Sequence, residues 1–569
     1  MAASLALNGR AEVAYGRDRG THVEPPESDQ PVHQENKYMI HIALLALLAQ
    51  SPAQSAPPAV TIPRIEGSVR IDGALDDEVW KQAALLGDFH QYEPADGRPA
   101  AEKTEVLVWY APDAIYFGIR AHDTQPDRIR ATRADRDNIE GEDHIVIYLD
   151  TFLDRRRAFM FGVNPLGVQL DGVRTEGAAS AGRIFGGQID TNPDFIFESQ
   201  GQLTADGYVI EVRIPFKTLR FPTSPVQSWG LQVERITQRT GFRDTWTDVR
   251  RASASYLVQA GTLEGMKELK RGMVLEAQPF VTAASNGRKT TSGFERARTD
   301  RDVGANLKMS FSNISLDATV NPDFSQVESD AGQVTINERF ALFFPEKRPF
   351  FLEGIELFNT PNQLVYTRQI GDPIGGGKIT GKVGPLAIAH LTAVDEDADG
   401  VEERGGGGHE ALFNVARVRR DFGSNSLVGL TVTDRSLLGI SAYNRVAAAD
   451  TRIVFGKLYY FEAQGGGSWT REQQANPLTG GSETGSRRFG PLWKLEFDRT
   501  GRMWGFHYTL NGVGPDFITR TGFVNRNDVV SLGAFNRFSY YGATGAALEA
   551  ITTFFGPTMI WEYSDFLKT

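Results

Sequence analysis

The chain has 569 residues, of which 60 are Lys or Arg and 71 are Asp or Glu, so its formal net charge is −11. This acidic balance argues against a general nucleic-acid-binding protein, which carries a basic face, and we expect no nucleic-acid partner. Apolar residues make up 41% and charged residues 23%, which excludes a largely disordered chain. The lack of cysteine excludes disulfides, a thiol nucleophile and cysteine-ligated zinc. No run of about 18 apolar residues exists, which excludes a transmembrane helix but not membrane-spanning strands.

The start of the chain changes composition at Met39. Residues 1–38 are polar and rich in Pro, Gly and charge, which predicts disorder or an upstream extension from a misassigned start codon. The apolar run Ile40–Ala49, interrupted by His41, has the length of a secretory hydrophobic region, and small residues follow up to Ala56. We therefore predict a signal peptide at residues 39–56; the alternative is a short buried helix.

Residues 62–268 contain short β-type runs separated by turn residues, with little helical periodicity. One hairpin is legible, with strands at Glu105–Tyr110 and Ile115–Arg120 joined by a turn. This pattern predicts an antiparallel β-sandwich. Further strands are predicted at His144–Leu149, Ala158–Val163, Tyr208–Ile214 and Trp229–Glu234.

Four motifs in this region carry a resemblance to a known family. They are Ile71–Trp80 (IDGALDDEVW), the hairpin that contains Trp109, Glu142-Asp143 before a strand, and Gly207–Phe216 (GYVIEVRIPF). In order and spacing these motifs resemble carbohydrate-binding module family 9. The resemblance implies a β-sandwich that holds sugars, typically at the chain ends of plant polysaccharides, and that is often attached to glycoside hydrolases.

The family's sugar site carries over to this sequence in part. Two tryptophans sandwich the sugar in the family; the first corresponds to Glu140 here, and a family arginine corresponds to Gly162. The second tryptophan follows a stretch that resembles Thr245–Asp248, near Tyr256. Sugar recognition needs a flat aromatic face and polar groups that fix the hydroxyls. The resemblance thus implies an aromatic face from Tyr256 or Trp246, and polar groups from Glu142, Asp143 and Asn164. The alternative is a sandwich retained as a structural or docking cap.

Other conspicuous residues have structural explanations. Trp80 and Trp109 are predicted to lie in the core. The acidic loop Asp135–Asp143 suggests structural calcium, because hard cations need several oxygen ligands, but Glu140 stands where an EF-hand loop has its turn glycine. A solvated charged loop is the favoured interpretation, so we expect no cofactor and no metal ligand. Arg155–Arg157 is too short a basic run for a nucleic-acid patch.

The alternation of apolar and polar residues is cleaner from residue 272 to residue 569. It runs along Val303–Phe311 and Ile314–Val320, and it returns along Trp493–Asp498 and Trp504–Asn511. Long hairpins with one apolar and one charged face are typical of a membrane β-barrel, whose apolar face meets lipid. A soluble sandwich alternates in the same way with its apolar face inward, so periodicity alone leaves both architectures open.

Three features favour the membrane: the length of the strands, the alternation of tight turns with longer Gly-rich loops such as Gly400–Gly408, and the secretory start. In addition, Asn321–Asp330, Phe343–Gly354 and Tyr366–Gly371 resemble an uncharacterised barrel domain. That domain commonly follows a family 9-like module in Gram-negative bacteria. The resemblance implies an architecture and an outer-membrane location, but no activity.

The stretch 326–364 breaks the strand pattern with phenylalanines interleaved among balanced charges. We predict that it folds into the barrel as a constriction or plug with its charges paired; the alternative is an external loop over the barrel mouth. Glu346 and Glu353 could in principle supply the two carboxylates of glycoside hydrolysis. Because Lys347 and Arg348 are adjacent, ion pairing is the favoured interpretation.

No other catalytic signature occurs: there is no nucleophile elbow, zinc-protease motif, phosphate-binding loop or dinucleotide fingerprint. No catalytic residue is predicted, and whether the chain is an enzyme stays open. If it is one, the resemblance implies an O-glycosyl hydrolase.

The sequence thus predicts an all-β protein, with a β-sandwich at residues 62–268 followed by an antiparallel transmembrane-type β-barrel at residues 272–569. The leading hypothesis is an exported outer-membrane protein that binds or takes up glycans in carbohydrate catabolism. Its expected partners are a polysaccharide or oligosaccharide and membrane lipid. The rivals are an exported glycoside hydrolase or its accessory module, and a structural envelope protein whose sandwich docks to a partner.

The last expectation concerns the end of the barrel. A closed bacterial barrel has an even number of strands and no free edge. About twelve to fourteen alternating runs occur between Val274 and Tyr563, and the chain ends in a polar stretch rather than in a strand closed by an aromatic residue. We therefore expect an incomplete barrel with an open seam near Leu275 and Ile560.

Overall fold

The computed structural model describes residues 56–566, apart from 68, 177–187, 271, 292, 312, 323–342, 397–408, 424, 476–481 and 544–545. The predicted N-terminal extension and all but the last residue of the predicted signal peptide lie outside these ranges. Strands dominate the described chain, which confirms the all-β class. Two α-helices are described, α1 (Pro349–Leu352) and α2 (Tyr563–Phe566), with 3-10 helices at Glu78–Gln82, Pro126–Arg128, Phe216–Thr218, Leu257–Gln259, Ile355–Phe358 and Thr367–Gln369. None of the described helices is long and apolar enough to cross a membrane.

The first part of the described chain contains fifteen strands. They are β1 (Ala59–Thr61), β2 (Ala84–Leu86), β3 (His90–Glu93), β4 (Arg98–Pro99), β5 (Thr104–Tyr110), β6 (Ala114–His122), β7 (His144–Asp150), β8 (Arg157–Val163), β9 (Gln169–Thr175), β10 (Gln188–Asp190), β11 (Glu198–Thr204), β12 (Gly207–Pro215), β13 (Val226–Thr237), β14 (Phe242–Thr245) and β15 (Gly261–Lys267). One sheet has the order β10-β9-β8-β7-β13-β14-β3-β4, with β15 beside β13 and β1 beside β15. The other has the order β11-β12-β6-β5-β2. The predicted hairpin is β5–β6, and the other predicted sandwich strands fall on β7, β8, β12 and β13.

The core of the sandwich lies between its two sheets. Strand β7 shows why: Ile145, Ile147 and Leu149 point into the core between the sheets, whereas Val146 and Tyr148 join a second apolar cluster on the outer face of the ten-stranded sheet. Both faces of β7 are therefore covered, which explains its continuous apolar sequence.

The second part of the described chain forms a large antiparallel sheet, here called the 14-stranded sheet. Its strands are β16 (Val274–Thr290), β17 (Gly293–Ser310), β18 (Ile314–Val320), β19 (Pro373–Val383), β20 (Leu386–Asp395), β21 (Ala411–Phe422), β22 (Ser426–Leu437), β23 (Tyr443–Phe455), β24 (Tyr459–Arg471), β27 (Arg488–Arg499), β28 (Trp504–Val513), β29 (Val529–Tyr541), β30 (Ala550–Phe555) and β31 (Thr558–Trp561), while β25 (Gln473–Ala475) and β26 (Ser482–Thr484) form a separate hairpin. Neighbours in sequence pair throughout, and β30 and β31 both pair β29. The described strands include no pairing of β16 with β30 or β31.

In the 14-stranded sheet, apolar side chains are exposed on one face and polar side chains are buried on the other, which is the reverse of the pattern in a soluble protein. In β22, Val428, Leu430 and Val432 are exposed by 46–54%, whereas the alternating residues Thr431 and Thr433 are buried. We call the face with the buried polar residues the inner face and the opposite face the outer face. The apolar side chains thus alternate as predicted, and the structure places them outward rather than in a core.

The connections between strands also differ between the two ends of this sheet. At one end, here called the tight-turn end, the connections are short, at residues 311–313, 384–385, 423–425, 456–458 and 500–503, with one longer connection at 542–549. The opposite end carries most of the long connections, at residues 321–372, 396–410, 472–487 and 514–528. The sandwich enters the sheet through β16 at the tight-turn end.

The described part of the 326–364 stretch packs on the inner face, as predicted in preference to an external loop. Phe350, Phe351 and Phe358 form a buried cluster with inner-face residues of β20 and β21. Gly354 adopts a left-handed φ of 74°, and a Cβ at this position would lie 2.7 Å from Thr380 Oγ1, so only glycine fits against the sheet here. We call residues 343–372 the insertion.

Candidate functional site

The predicted polar residues of the sugar site organise loops at one end of the ten-stranded sheet. Asn164 Nδ2 donates to Glu142 (2.6 Å) and to the Thr132 carbonyl (2.8 Å), and Asn164 Oδ1 accepts the backbone N–H groups of Leu166 and Val168. Hydrogen bonds from Asn164 and Thr132 to the Glu142 carboxylate lower its pKa against the effect of burial. The structure therefore brings Glu142 and Asn164 together, in a network that uses both donors and the acceptor of the amide.

Asp143 is buried beside this pair and joins two other loops. Its carboxylate accepts the backbone N–H groups of Arg130 (2.6 Å) and Gln238 (3.1 Å). Burial raises the pKa of this carboxyl, and the two backbone donors act in the opposite direction. Asp143 thus holds together the loops that follow β6 and β13, and its oxygens are directed at the protein backbone.

The two predicted aromatic residues do not form one platform. Trp246 is 6% exposed and belongs to the core between the two sheets, whereas Tyr256 is 7% exposed and belongs to the apolar cluster on the outer face of the ten-stranded sheet. The backbone N–H of Trp246 bonds to the Val233 carbonyl (2.9 Å), which fixes the ring on the core side. Neither ring presents a broad free face to solvent, so the expectation of an exposed stacking surface is not met at these two positions.

Tyr256 instead belongs to a buried tyrosine cluster that the sequence did not reveal. Its ring packs edge-on against Tyr92 (5.6 Å between centroids) and Tyr148 (5.8 Å), and the Arg174 guanidinium lies 4.0 Å from its centroid. The Tyr256 hydroxyl donates to Glu234 (3.2 Å). Burial raises the pKa of Tyr92 to about 12 and raises those of Tyr148 and Tyr256 well above the usual value, so all three phenols remain protonated at neutral pH.

The charges beside this cluster are compensated within it. Arg174 pairs with Glu176 (3.4 Å), and the Glu176 carboxylate accepts the backbone N–H groups of Tyr256 and Leu257. Arg243 lies 3.5 Å from Glu234. These residues come from strands that are distant in sequence, and a one-residue change of register would turn them to the other face. No local motif could have identified them.

The acidic loop contributes a different carboxylate cluster from the one that the sequence suggests. Asp137, Asp171 and Asp194 each bring one oxygen within 4.8 Å of the others, and of these only Asp137 belongs to the loop Asp135–Asp143. Arg136 contacts Asp171 (2.5 Å) and approaches Asp194 (3.7 Å). Burial raises the pKa of Asp171 to about 6. A guanidinium thus already occupies part of the space that a bound cation would need.

The two carboxylates considered for hydrolysis are both engaged in ion pairs. Glu346 accepts two hydrogen bonds from the Arg348 guanidinium (2.8 and 2.7 Å), one from the Arg348 backbone N–H (3.0 Å) and one from Thr367. Glu353 pairs with Arg220 of the sandwich and with Lys308 (2.5 Å). The expectation of ion pairing is confirmed for both, and Arg348 is the predicted partner of Glu346.

A concave site of another kind lies where the sandwich, the 14-stranded sheet and the insertion meet. This cavity has a volume of about 680 Å³. Its walls contain side chains of β8, β16, β17 and β18, and of α1 in the insertion. We call it the junction cavity.

Comparison with known families assigns the two parts of the chain. Residues 71–255 match the family model described as "Carbohydrate family 9 binding domain-like". Residues 273–381 match the family model described as "Domain of unknown function (DUF5916)". The chain therefore carries a carbohydrate family 9-like domain followed by a domain of unknown function, as the motifs predicted. The first match supports carbohydrate binding by the sandwich.

Three solved structures are similar to parts of the chain. A family 9 carbohydrate-binding module from Caldicellulosiruptor kristjanssonii in complex with cellotriose is 16% identical, and the match covers 38% of this chain and 94% of that one, with a TM-score of 0.26. A putative carbohydrate-binding protein from Bacteroides uniformis is 9% identical, covering 37% of this chain and 99% of that one, with a TM-score of 0.29. Pseudomonas aeruginosa OccK9 (OpdG) is 11% identical, covering 74% of this chain and 93% of that one, with a TM-score of 0.23. No curated protein matches the chain.

Proposed function

We propose that this chain is an outer-membrane protein that binds polysaccharide or oligosaccharide through its family 9-like sandwich and takes part in glycan uptake. The family match of the sandwich supports the glycan part of the proposal. The observation that carries the membrane part is the inverted surface of the 14-stranded sheet, which exposes apolar side chains and buries ionic ones.

The inner face of this sheet contains charge pairs that a soluble core seldom holds. The guanidinium of Arg417 makes two hydrogen bonds to Asp450 (2.6 and 2.8 Å), and both side chains are only 3% exposed. On the outer face, Leu430, which pairs with Val418 of β21, is 54% exposed. Large exposed apolar surfaces are unfavourable in water, whereas a lipid-facing sheet requires them. The arrangement thus supports lipid contact on the outer face.

Aromatic residues lie near both ends of the strands β24 and β27. At the tight-turn end, Phe455, Tyr459 and Phe497 stack on one another, and at the other end Trp469 contacts Phe489. Ten residues separate the two groups along β24, which corresponds to about 33 Å of strand or about 25 Å of height at the usual tilt of about 40°. Aromatic girdles at this spacing flank the apolar band of membrane barrels.

The connections support an orientation for the sandwich. Bacterial outer-membrane barrels have short turns on the periplasmic side and longer loops outside. The sandwich contacts the tight-turn end: the N–H of Ala254 donates to the Lys457 carbonyl (3.0 Å), and Arg502 lies 3.5 Å from Asp96. We therefore place the sandwich on the periplasmic side in this proposal.

Cell fractionation and a glycan array on the full chain test the two parts separately. We expect the chain in the outer-membrane fraction, extracted only by detergent and migrating differently on gels before and after heating. Full solubility without detergent would contradict the membrane part. The detergent-extracted chain should bind at least one class of uncharged glycan on the array, and the absence of any binding would contradict the glycan part.

A structural envelope protein is the second candidate, because the sandwich is firmly docked to the sheet. Arg156 in the sandwich and Asp421 in β21 form a pair that is 3.4 Å apart and nearly inaccessible to solvent. A docked sandwich without sugar affinity would give the same fractionation as the first candidate. The glycan array therefore decides between them.

A further inference from the structure

The junction cavity is a partly open compartment formed by three parts of the chain. Its volume of about 680 Å³ falls within the range of about 300–1,000 Å³ that is typical of small-molecule sites. Three separate parts of the chain form its walls: residues 191–196 and 216–221 of the sandwich, the strands β16–β18, and residues 347–353 of the insertion. Because these parts are far apart in sequence, no motif points to the cavity.

The charges that line the cavity balance one another. Five basic and five acidic residues contribute to its walls: Arg157, Lys217, Arg220, Lys308 and Lys347 against Asp137, Asp194, Glu276, Asp317 and Glu353. Several are paired across the junction, since Glu353 pairs with both Arg220 and Lys308, and Arg157 pairs with Glu356 (2.7 Å). A lining without surplus charge gives an ionic ligand no net attraction, and it favours a ligand that is polar but uncharged.

The remaining walls offer the two kinds of group that sugars require. Phe311 lines the cavity with 44% of its surface exposed, and Phe195 is partly exposed nearby. On β16 and β17, Asn306 Nδ2 donates to Gln278 Oε1 (3.3 Å) and Asn306 Oδ1 accepts from Thr319 (2.7 Å), so a sugar hydroxyl would join an existing amide network. An aromatic face packs against the apolar side of a pyranose, and amides both donate to and accept from its hydroxyls.

We propose that the junction cavity binds an uncharged oligosaccharide, as a second site in addition to any site on the sandwich. This inference rests on the proposed function, because it takes the glycan class from there. The cavity lies between the inner face of the sheet and the sandwich, at the tight-turn end. A glycan that moves along the inner face would therefore reach this site before it leaves the protein.

Equilibrium binding to the full chain in detergent tests the inference, with cellotriose and xylotriose as uncharged probes and trigalacturonate as a charged one. Phe311→Ala should weaken the binding of at least one uncharged probe by roughly three- to tenfold, the effect of one aromatic face. Phe422→Ala is the matched control, since Phe422 is 46% exposed at the end of β21, beside another tight turn, and does not line the cavity. Gln278→Ala, at an exposed position on β16, should weaken the same probe.

The outcomes separate this inference from the proposed function. If the unmodified chain binds an uncharged probe and neither Phe311→Ala nor Gln278→Ala changes its affinity, the junction cavity is not the site and the inference is wrong, while the proposed function stands. Tighter binding of trigalacturonate than of both uncharged probes would also overturn it. If the unmodified chain binds none of the three probes and nothing on the glycan array, both the proposed function and the inference fail.

Discussion

Trp80 connects the first segment of the sandwich to its five-stranded sheet. Its indole N–H donates to Glu211 (3.0 Å), and the same carboxylate accepts the backbone N–H groups of Asp72 and Gly73 (2.8 Å each). We expect Trp80→Ala to destabilise the sandwich by about 3–5 kcal/mol, because it removes a buried ring and one donor to Glu211. Trp80→Phe, which keeps most of the ring volume, should cost less. Hydrogen exchange of β5 and β6 in the full chain measures both, and equal protection in all three proteins would contradict this role.

Asp171 gives the sandwich a pH dependence of defined sign. Burial raises the pKa of its carboxyl to about 6, above the value of about 3.9 in an unfolded chain. The folded state therefore binds the proton more tightly, so this group adds stability below about pH 4 and that contribution is lost as the pH rises through 6. The change amounts to at most about 3 kcal/mol. Hydrogen exchange of β8 and β9, corrected for the pH dependence of the intrinsic exchange rate, should show this loss of stability in the unmodified chain but not in Asp171→Asn. An equal pH dependence of stability in the two proteins would contradict the assignment of the effect to Asp171.

At the residue scale, the sequence predicts burial better than it predicts binding. Trp80 and Trp109 are core residues as expected, at 3% and 0% exposure. The sequence did not show whether Trp246 and Tyr256 could share one aromatic face, and the structure places them on opposite faces of one sheet. Their placement depends on the pairing of β13 with β14 and β7, and pairing between strands distant in sequence leaves no local signal.

At the scale of elements, a substitution on the outer face of β22 can distinguish a sheet that faces lipid from one that faces water. Leu430→Arg should cost about 2–3 kcal/mol, since a charge near the middle of an apolar band loses its hydration. Leu85→Arg is the matched control: Leu85 is 59% exposed on the sandwich, where such a change costs within about 0.5 kcal/mol. Unfolding midpoints in detergent and the yield of membrane-assembled protein measure the difference. Equal effects of the two substitutions would contradict lipid contact.

The alternation of apolar and polar residues predicts strands of the 14-stranded sheet closely. The run Ile314–Val320 is β18, residue for residue, and the fourteen described strands of this sheet fall within the expected range. For the insertion, the sequence predicted a position inside the barrel in preference to an external loop, but it did not predict the fold. The insertion packs on β20 and β21 because the ring of Phe351 fits against the small inner-face residues Ala389 and Ala393. Such shape complementarity between distant residues cannot be identified from the order of apolar and polar residues in the sequence.

At the scale of the whole molecule, alternating charges join the sandwich to the sheet. Lys382 in β19 contacts Asp154 of the sandwich and Asp421 (2.7 Å), and Asp421 in turn faces Arg156. Loss of one partner from a buried pair costs about 3–5 kcal/mol. We expect both Arg156→Ala and Asp421→Asn to loosen the docking and to speed limited proteolysis of the connector at residues 268–273.

The matched control for docking is Arg70→Ala, because Arg70 is 84% exposed and pairs only with Asp72 in the described contacts. If Asp421→Asn, which leaves the sandwich itself unchanged, gives the same cleavage rate as Arg70→Ala, the ion pairs do not hold the two parts together. The sequence shows Arg155–Arg157 as a short basic run, but it does not indicate which acidic residues pair with it.

The central claim is that the sheet spans the outer membrane with the sandwich on its periplasmic side, and site-specific labelling tests it most directly. The chain has no cysteine, so a single introduced thiol is a unique target. We expect a membrane-impermeant maleimide to label Leu438→Cys, 40% exposed at the end opposite the sandwich, in intact cells. The same reagent should label Leu85→Cys, on the sandwich, only after the outer membrane is permeabilised. Equal labelling of Leu85→Cys in intact and permeabilised cells would contradict the account.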